Sequence, residues 1–214
     1  MHSEEGVNRC TYLLPIRRAR YDAAEVADLA GYLHSLGEAG CEVLVVDGSS
    51  AEVWAQHDFV WSGVSRHATV DRSFGYMNDK VNGIHTGVQL AKQEKIILAD
   101  DDIRYTASEI EQTCALLESF EVVRPQNFLS PRPWWAKMEA ARMLINRASL
   151  RTGDYPGTCA FRRETMLRVG HYDGDVLFDN EEIIRHFASE GARVAYEIDL
   201  FFQKRPPALR KWIE

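Results

Sequence analysis

The feature that most constrains this chain is a short apolar segment that ends in three consecutive carboxylates. Residues 95–99 read Lys-Ile-Ile-Leu-Ala and predict a buried strand, and Asp100, Asp101 and Asp102 follow it directly. Open α/β sheets bind ligands at the carboxyl ends of their strands, and three adjacent acids repel one another unless a cation lies among them. If the extended backbone continued, Asp100 and Asp102 would share one side and Asp101 the other. The segment predicts a site for a hard divalent ion shared with phosphate oxygens, or else a solvated acidic turn with an Asp that caps the next helix.

The composition of the chain excludes several classes of protein. With 214 residues, 45% hydrophobic and 27% charged, it is typical of a soluble globular protein with a buried core. A net charge of −7 disfavours a broad nucleic-acid-binding surface, so we expect no nucleic-acid partner. No segment reaches the length of a membrane span, and the acidic residues 1–5 are not followed by the apolar segment of a signal peptide.

The cysteines indicate a reducing compartment. They are Cys10, Cys41, Cys114 and Cys159, and none of them shows CxxC spacing. Cys10 and Cys41 lie in or next to apolar segments and are predicted to be small core residues. We therefore expect a reduced, cytoplasmic protein. The basic and aromatic C-terminal end leaves peripheral contact to the inner face of a membrane open.

Strand and helix patterns alternate along the chain. Predicted strands lie at 10–16, 42–47, 68–70, 95–99, 122–128, 159–161, 192–196 and 200–202. Predicted helices lie at 23–36, 51–57, 76–92, 106–120, 134–148, 164–169 and 180–189. Short strand–helix–strand connections predict parallel strands with right-handed crossovers, and no linker divides the chain, so we expect one α/β domain over 1–214.

Three polar segments close successive predicted strands, namely 15–17 (Pro-Ile-Arg), 47–50 (Asp-Gly-Ser-Ser) and 100–102. With the helix 80–91, which contains Asn82, Gly83 and Gly87, their order and spacing resemble the nucleotide-sugar-dependent glycosyltransferases of family 2. That family has strand ends of the types Pro-x-Arg, Val-Val-Asp-x-Ser-Ser and Asp-x-Asp. The segments 155–163 and 170–173 are similar to its acceptor-side segment, so the resemblance covers nearly the whole chain.

The resemblance implies a single GT-A domain, with a mostly parallel central sheet flanked by helices. Residues from about 8 to 105 would form the nucleotide-sugar-binding half, 106–205 the acceptor-side half, and 206–214 a tail. It implies a metal-dependent glycosyltransferase that moves a sugar from a UDP- or GDP-linked donor to a hydroxyl acceptor, with inversion. The acceptor, which is a small molecule, a glycan or a lipid, and the oligomeric state are left open.

The resemblance also implies a donor site at the strand ends. Asp100 and Asp102 would hold Mn²⁺ or Mg²⁺, which suit oxygen ligands better than Zn²⁺ does, and Asp101 would contact the donor beside them. Asp47 would bind the nucleotide base and the loop with Pro15 and Arg17 would line the same pocket, whereas Lys80 would contact the diphosphate. The alternatives are a turn-forming role for Asp47 and a solvated position for Lys80.

The predicted general base departs from the family pattern. Residues 178–183 read Phe-Asp-Asn-Glu-Glu-Ile, and Asn180 falls on the position of the family's usual catalytic Asp. An amide nitrogen does not accept the acceptor's proton, so Asp179 or Glu182 would have to serve. Acids also stabilise the first turn of a helix without any catalytic role.

Three other functions remain open at this stage. A nucleotidyltransferase of related fold would carry a Gly-rich phosphate loop after the first strand, whereas Arg17 and Arg18 follow it here without a glycine. A phosphatase would place its acid pair after the first strand. A non-catalytic or degenerate nucleotide-sugar-binding module is favoured by Asn180 and disfavoured by the intact acidic triplet.

Overall fold

The computed structural model describes residues 10–176 and 179–209, and eight strands in these ranges form one sheet. The strands are β1 (Cys10–Ile16), β2 (Glu42–Asp47), β3 (Arg66–Thr69), β4 (Lys95–Ala99), β5 (Ile103–Arg104), β6 (Val122–Leu129), β7 (Thr158–Arg162) and β8 (Val194–Lys204). The helices are α1 (Ala23–Glu38), α2 (Ala51–Trp61), α3 (Asp79–Leu90), α4 (Ala107–Ser119), α5 (Ala136–Ser149), α6 (Arg163–Val169) and α7 (Asp179–Ser189). The predictions for residues 1–5 and for the end of the tail at 210–214 lie outside the described residues.

The first half of the sheet is parallel. Strands β3, β2, β1 and β4 lie side by side in that order, and their three pairings are parallel. Their carboxyl ends therefore meet at one edge, where Ile16 pairs with Asp47. The sequence predicted this arrangement from the short crossover connections.

The second half of the sheet is mixed. Strand β7 runs antiparallel to both β4 and β6, β6 and β8 are parallel, and the short β5 is antiparallel to β8. Four of the seven pairings are parallel, which confirms the predicted α/β class with a mostly parallel sheet. The described helices do not include one that is both long and apolar enough to cross a bilayer.

Three predicted elements differ clearly from the structure. The strands expected at 192–196 and 200–202 are one strand, β8, whose register against β6 shifts between Arg124 and Gln126. Pro125 lies at this irregularity, where a residue without an N–H group is tolerated. The helix expected from residue 76 begins only at Asp79, because the Asn78 side chain accepts a hydrogen bond from the Lys80 amide and caps it.

The core lies on both faces of the sheet because strand side chains alternate. On one face, Tyr12 and Leu14 of β1 pack with Leu33 of α1. On the other, Leu13 of β1 packs with Ile84 of α3. The four cysteines are free and buried, which confirms Cys10 and Cys41 as core residues.

Candidate active site

The three carboxylates form a tight turn at the end of β4. The Ile103 amide donates a hydrogen bond to the Asp100 carbonyl oxygen at 3.1 Å, and Asp101 and Asp102 occupy the turn between them. The strand conformation does not continue, so the condition for an alternation of the three side chains is not met. We call Asp100–Asp102 the acidic turn.

The acidic turn lines a cavity of about 510 Å³ at the carboxyl edge of the parallel strands. The other walls are the loop after β1 and the beginning of α3. The predicted site residues Pro15, Arg17 and Lys80 lie in these walls. The structure thus brings together six of the predicted site residues, and they come from three separate segments of the chain.

Lys80 lies between two carboxylates that are distant in sequence. Its Nζ is 2.5 Å from Asp100 Oδ1 and 2.8 Å from Asp179 Oδ2. Burial disfavours the charged ammonium, but attraction to Asp100 and Asp179 outweighs burial and raises the pKa of Lys80. Lys80 is therefore a fixed positive charge at the acidic edge.

Asp102 is the least satisfied acid of the turn. Its Oδ1 atom is buried and has no hydrogen-bond partner, and its Oδ2 atom lies 3.6 Å from Lys204 Nζ. Burial raises the pKa of Asp102 to about 6, with a further contribution from Asp100 and Asp101, although Lys204 lowers it. A cation bound at this carboxylate would stabilise its negative charge and so offset both the cost of burying it and its repulsion by Asp100 and Asp101.

Two arginines connect the segments that form the walls of the cavity. Arg18 forms an ion pair with Asp101, and its amide donates a hydrogen bond to Ser49 Oγ at 2.8 Å. The exposed Arg17 lies 3.2 Å from Asp79 at the start of α3. These contacts connect the ends of β1, β2 and β4.

Asp47 is not among the residues that line the cavity. Its carboxylate is fully buried and contacts His57 Nδ1 at 2.7 Å and His67 Nε2 at 3.3 Å, and it accepts a hydrogen bond from the Ser49 amide at 2.8 Å. Burial would raise the pKa of Asp47, but the bonds from His67, Ser49 and His57 lower it to about 2. The structure gives this acid the turn-forming role with a buried histidine pair, and its contact to a base stays a prediction.

The acids at the start of α7 have different partners. Asp179 reaches Lys80, whereas Glu181 contacts the buried Arg124 at 2.9 Å and Glu182 pairs with Arg185 one turn along the helix, with Oε2 2.8 Å from Arg185 Nε. Of these three, Asp179 is therefore the one in contact with a residue of the cavity wall. Glu182, the other predicted base, is already bound on its own helix.

Asn180 faces the acidic turn. Its Nδ2 atom lies 3.4 Å from Asp100 Oδ2, and its Oδ1 atom is buried without a hydrogen-bond partner. The residue at the expected base position thus donates a hydrogen bond to a predicted metal ligand. The first member of the 178–183 segment, Phe178, lies outside the described residues.

The donor set of the acidic turn fits a hard cation. Within residues 10–176 and 179–209, no three His, Cys, Asp or Glu side chains converge on a closed metal site. Asp100 and Asp102 offer oxygen atoms only, and the buried Asp102 Oδ1 lacks a partner. Mg²⁺ and similar ions often take one or two protein carboxylates and complete their shell with substrate phosphates, so an edge with two carboxylates suits them.

Comparison with known proteins identifies the fold. No protein-family model and no curated protein sequence matches the chain. A mannosyltransferase from Pyrobaculum calidifontis, solved with GDP-Man and Mn²⁺, superposes over 94% of the chain with a TM-score of 0.64 and 18% identity. Glucosyl-3-phosphoglycerate synthase from Mycobacterium tuberculosis, solved with Mg²⁺ and UDP, superposes over 95% with a TM-score of 0.60 and 13% identity.

This chain has the GT-A fold. It spans 57% of the length of the mannosyltransferase and 74% of the synthase. A second structure of the mycobacterial synthase agrees, with a TM-score of 0.60 over 96% of the chain at 14% identity. The predicted fold is confirmed over nearly all of the chain, whereas the family within that fold is not decided at these identities.

Sequence reasoning missed residues of the GT-A domain that hold the site together. The Asp100 amide donates a hydrogen bond to the Gly157 carbonyl at 2.9 Å, and the Gly157 amide donates one to Asn127 Oδ1 at 2.7 Å. Arg124 is fully buried in β6 and binds Glu181 beside Asp179. A charged residue inside a predicted strand was the only signal for Arg124, since buried arginines need a partner.

Proposed function

We propose that this protein transfers a sugar from a UDP- or GDP-linked donor to a hydroxyl acceptor with the help of a divalent cation. The observation that carries the proposal is the acidic turn opposite Lys80 in a cavity at the carboxyl edge of the parallel strands. The fold supports it, since the mannosyltransferase of the same fold was solved with GDP-Man and Mn²⁺ and the synthase with Mg²⁺ and UDP.

The donor would occupy the cavity with its diphosphate near the acidic turn. Asp100 and Asp102 would hold Mn²⁺ or Mg²⁺, which, when bound, acts as a Lewis acid on the charge that develops on a leaving diphosphate. The ammonium of Lys80 supplies a second positive charge at the same end of the cavity. Pro15 and Arg17 line the side on which the nucleoside would lie.

Asp179 is the proposed general base. It is only 7% exposed and lies 2.8 Å from Lys80, so its carboxylate is adjacent to the cavity and paired with a residue of the cavity wall. The carboxylate would take the proton of the acceptor hydroxyl as the oxygen attacks the anomeric carbon. One base on the attacking side suits direct displacement with inversion.

Binding of nucleotide is the first test. Calorimetric titration of UDP and of GDP, each with Mn²⁺ or with chelator, should show binding of at least one nucleotide that requires the metal. Asp102→Ala should remove this metal-dependent binding. Asp199→Ala is the matched control, because Asp199 is exposed on β8 and does not line the cavity. If neither nucleotide binds the folded parent protein, the donor site is assigned wrongly for these bases.

The base assignment is tested by release of nucleotide from GDP-mannose or UDP-glucose with water or a screened acceptor. Asp179→Asn should retain metal-dependent nucleotide binding and lower turnover by about 100-fold or more. Glu182→Gln should retain both, since Glu182 is bound to Arg185. Full turnover in Asp179→Asn together with a loss of turnover in Glu182→Gln would show that Glu182 is the base.

Asn180 favours one other function, a donor-binding module without turnover. An amide stands at the position of the usual base and contacts Asp100. Metal-dependent nucleotide binding without turnover of either donor, across a broad acceptor panel, would support this second candidate over the transferase.

A further inference from the structure

Helix α5 presents an apolar face to solvent. Its inner side packs through Ala136 and Met143 against the sheet, whereas Met138, Leu144 and Ile145 are 70%, 61% and 64% exposed. Trp134, just before the helix, is 64% exposed. Ile145 follows Met138 by about two helical turns, so the two side chains lie on the same side of α5. Trp134 precedes Met138 by about one turn, which places it near the same side. We call Trp134, Met138, Leu144 and Ile145 the α5 face.

The α5 face lies in a basic segment of an acidic protein. Residues 132–151 contain five basic side chains and one acid, Glu139, whereas the whole chain has a net charge of −7. Arg142 is paired with Glu139 and Asp154, and Arg147 turns inward to the Asn127 carbonyl. The other three, Arg132, Lys137 and Arg151, are exposed.

We propose that the α5 face docks on the surface of an anionic lipid bilayer. A helix that lies in the membrane interface buries an apolar stripe and keeps basic side chains at the headgroups, and a Trp at its end suits the interface. Four large apolar side chains with an exposed basic rim match this requirement. The inference does not depend on the transferase proposal.

Charge decides between a bilayer and a second copy of this chain. In a two-fold symmetric dimer the α5 face would meet itself, which would bring the basic rims of both copies together. The nearby acids Glu139 and Asp154 are already paired with Arg142. Like charges across an interface disfavour that pairing, whereas anionic headgroups complement the rim. The bilayer is therefore the occupant that the charge pattern favours.

Hydrogen bonds connect the inner side of helix α5 to the acidic turn. Arg147 on the inner side of α5 donates to the Asn127 carbonyl, Asn127 Oδ1 accepts from the Gly157 amide, and the Gly157 carbonyl accepts from the Asp100 amide. A bilayer at α5 would thus lie beside the β6–β8 half of the sheet. This surface differs from the C-terminal end that the sequence suggested, of which residues 210–214 lie outside the described ranges.

Co-sedimentation with vesicles tests the proposal. The full chain should sediment with vesicles of phosphatidylcholine mixed with phosphatidylglycerol, should sediment less with phosphatidylcholine alone, and should be released by salt. Ile145→Glu should weaken binding by about tenfold or more, and Lys137→Glu by about fivefold for each unit of charge removed. Phe59→Glu is the matched control, because Phe59 is 89% exposed on α2 and its replacement should not change binding.

Two results would overturn the proposal. One is equal vesicle binding by the parent and Ile145→Glu, with unchanged circular dichroism to show that both are folded. The other is the absence of vesicle binding together with a dimer, in sedimentation equilibrium, that Ile145→Glu dissociates. The second result would assign the α5 face to another copy of this chain.

Discussion

The ends of β2 and β4 carry acids at the same edge of the sheet, yet the two acids are in opposite states. Asp47 at the end of β2 is buried with two histidines and has its pKa lowered to about 2. Asp102, after β4, has a buried oxygen without a hydrogen-bond partner and a pKa raised to about 6. The first carboxylate is satisfied inside the protein, whereas the second is satisfied only in part.

From this difference we expect Asp47 to be a structural acid and Asp102 to be available for a ligand. Interactions inside the fold already stabilise the charge on Asp47, so removing it should cost stability. The charge on Asp102 is stabilised poorly, which the protein tolerates where a cation can bind. Position at the end of a strand does not distinguish the two acids. The side chains that surround each of them in the folded protein do.

The largest expected effect is on turnover. Asp100→Asn should lower the release of nucleotide from GDP-mannose or UDP-glucose by about 100-fold or more, because a bound Lewis acid contributes several kcal/mol. Asp47→Asn should lower it by less than tenfold once only the folded fraction is counted. An equal loss in both variants, measured at a temperature where each is folded, would place Asp47 at the nucleotide after all.

The effects on stability should have the reverse order, with replacement of Asp47 more damaging than replacement of an acid of the acidic turn. Asp47→Ala should lower the free energy of unfolding by about 3 kcal/mol, because it leaves a buried polar cluster without its acid. Asp102→Asn should leave it unchanged or raise it. Urea unfolding of both variants and of Asp199→Ala measures this, and a stable Asp47→Ala protein would contradict the structural role of Asp47.

The pH dependence of stability in chelator should separate the two acids. The folded pKa of Asp47 is lowered, so its contribution of about 2 kcal/mol is present above about pH 4 and is lost as the pH falls toward 2. The folded pKa of Asp102 is raised, so its cost of about 1 kcal/mol, given its partial exposure, appears as the pH rises from about 4 to 6. The free energy of unfolding should be measured at a series of pH values. The loss of stability below about pH 4 should be absent in Asp47→Asn, and the loss between about pH 4 and 6 should be absent in Asp102→Asn.

Gly157→Ala should have the smallest effect. A methyl group there would lie 3.0 Å from Asp100 Oδ2, so the carboxylate must shift by a few tenths of an ångström. We expect about a threefold loss of metal-dependent nucleotide affinity, and less than about 1 kcal/mol change in stability. Gly63→Ala is the control, since a methyl group at Gly63 meets nothing within 4 Å. Equal affinity in both variants would show that Asp100 tolerates displacement.

Local patterns predicted much of the fold and part of the site. Alternating apolar residues and short connections located β1, β2 and β4, and the acids after β4 indicated the cavity that the structure shows. The predictions failed where a distant partner or a local turn decides the geometry. The sequence divided β8 into two strands near the point where its register against β6 shifts, and the turn at the end of β4 reorients the three acids.

The sequence by itself determined the parallel half of the sheet and the position of its acidic edge, because periodicity and chain connectivity are local properties. Only the tertiary structure decided which acids face the cavity. Asp179 meets Lys80, about one hundred residues earlier in the chain, and Arg124 in β6 holds Glu181 on the same helix. Asp47 does not line this cavity, and His57 and His67 bind its carboxylate. A charged side chain pairs with the partners that lie near it in space, and those distances are set by the folded chain and not by separation in the sequence.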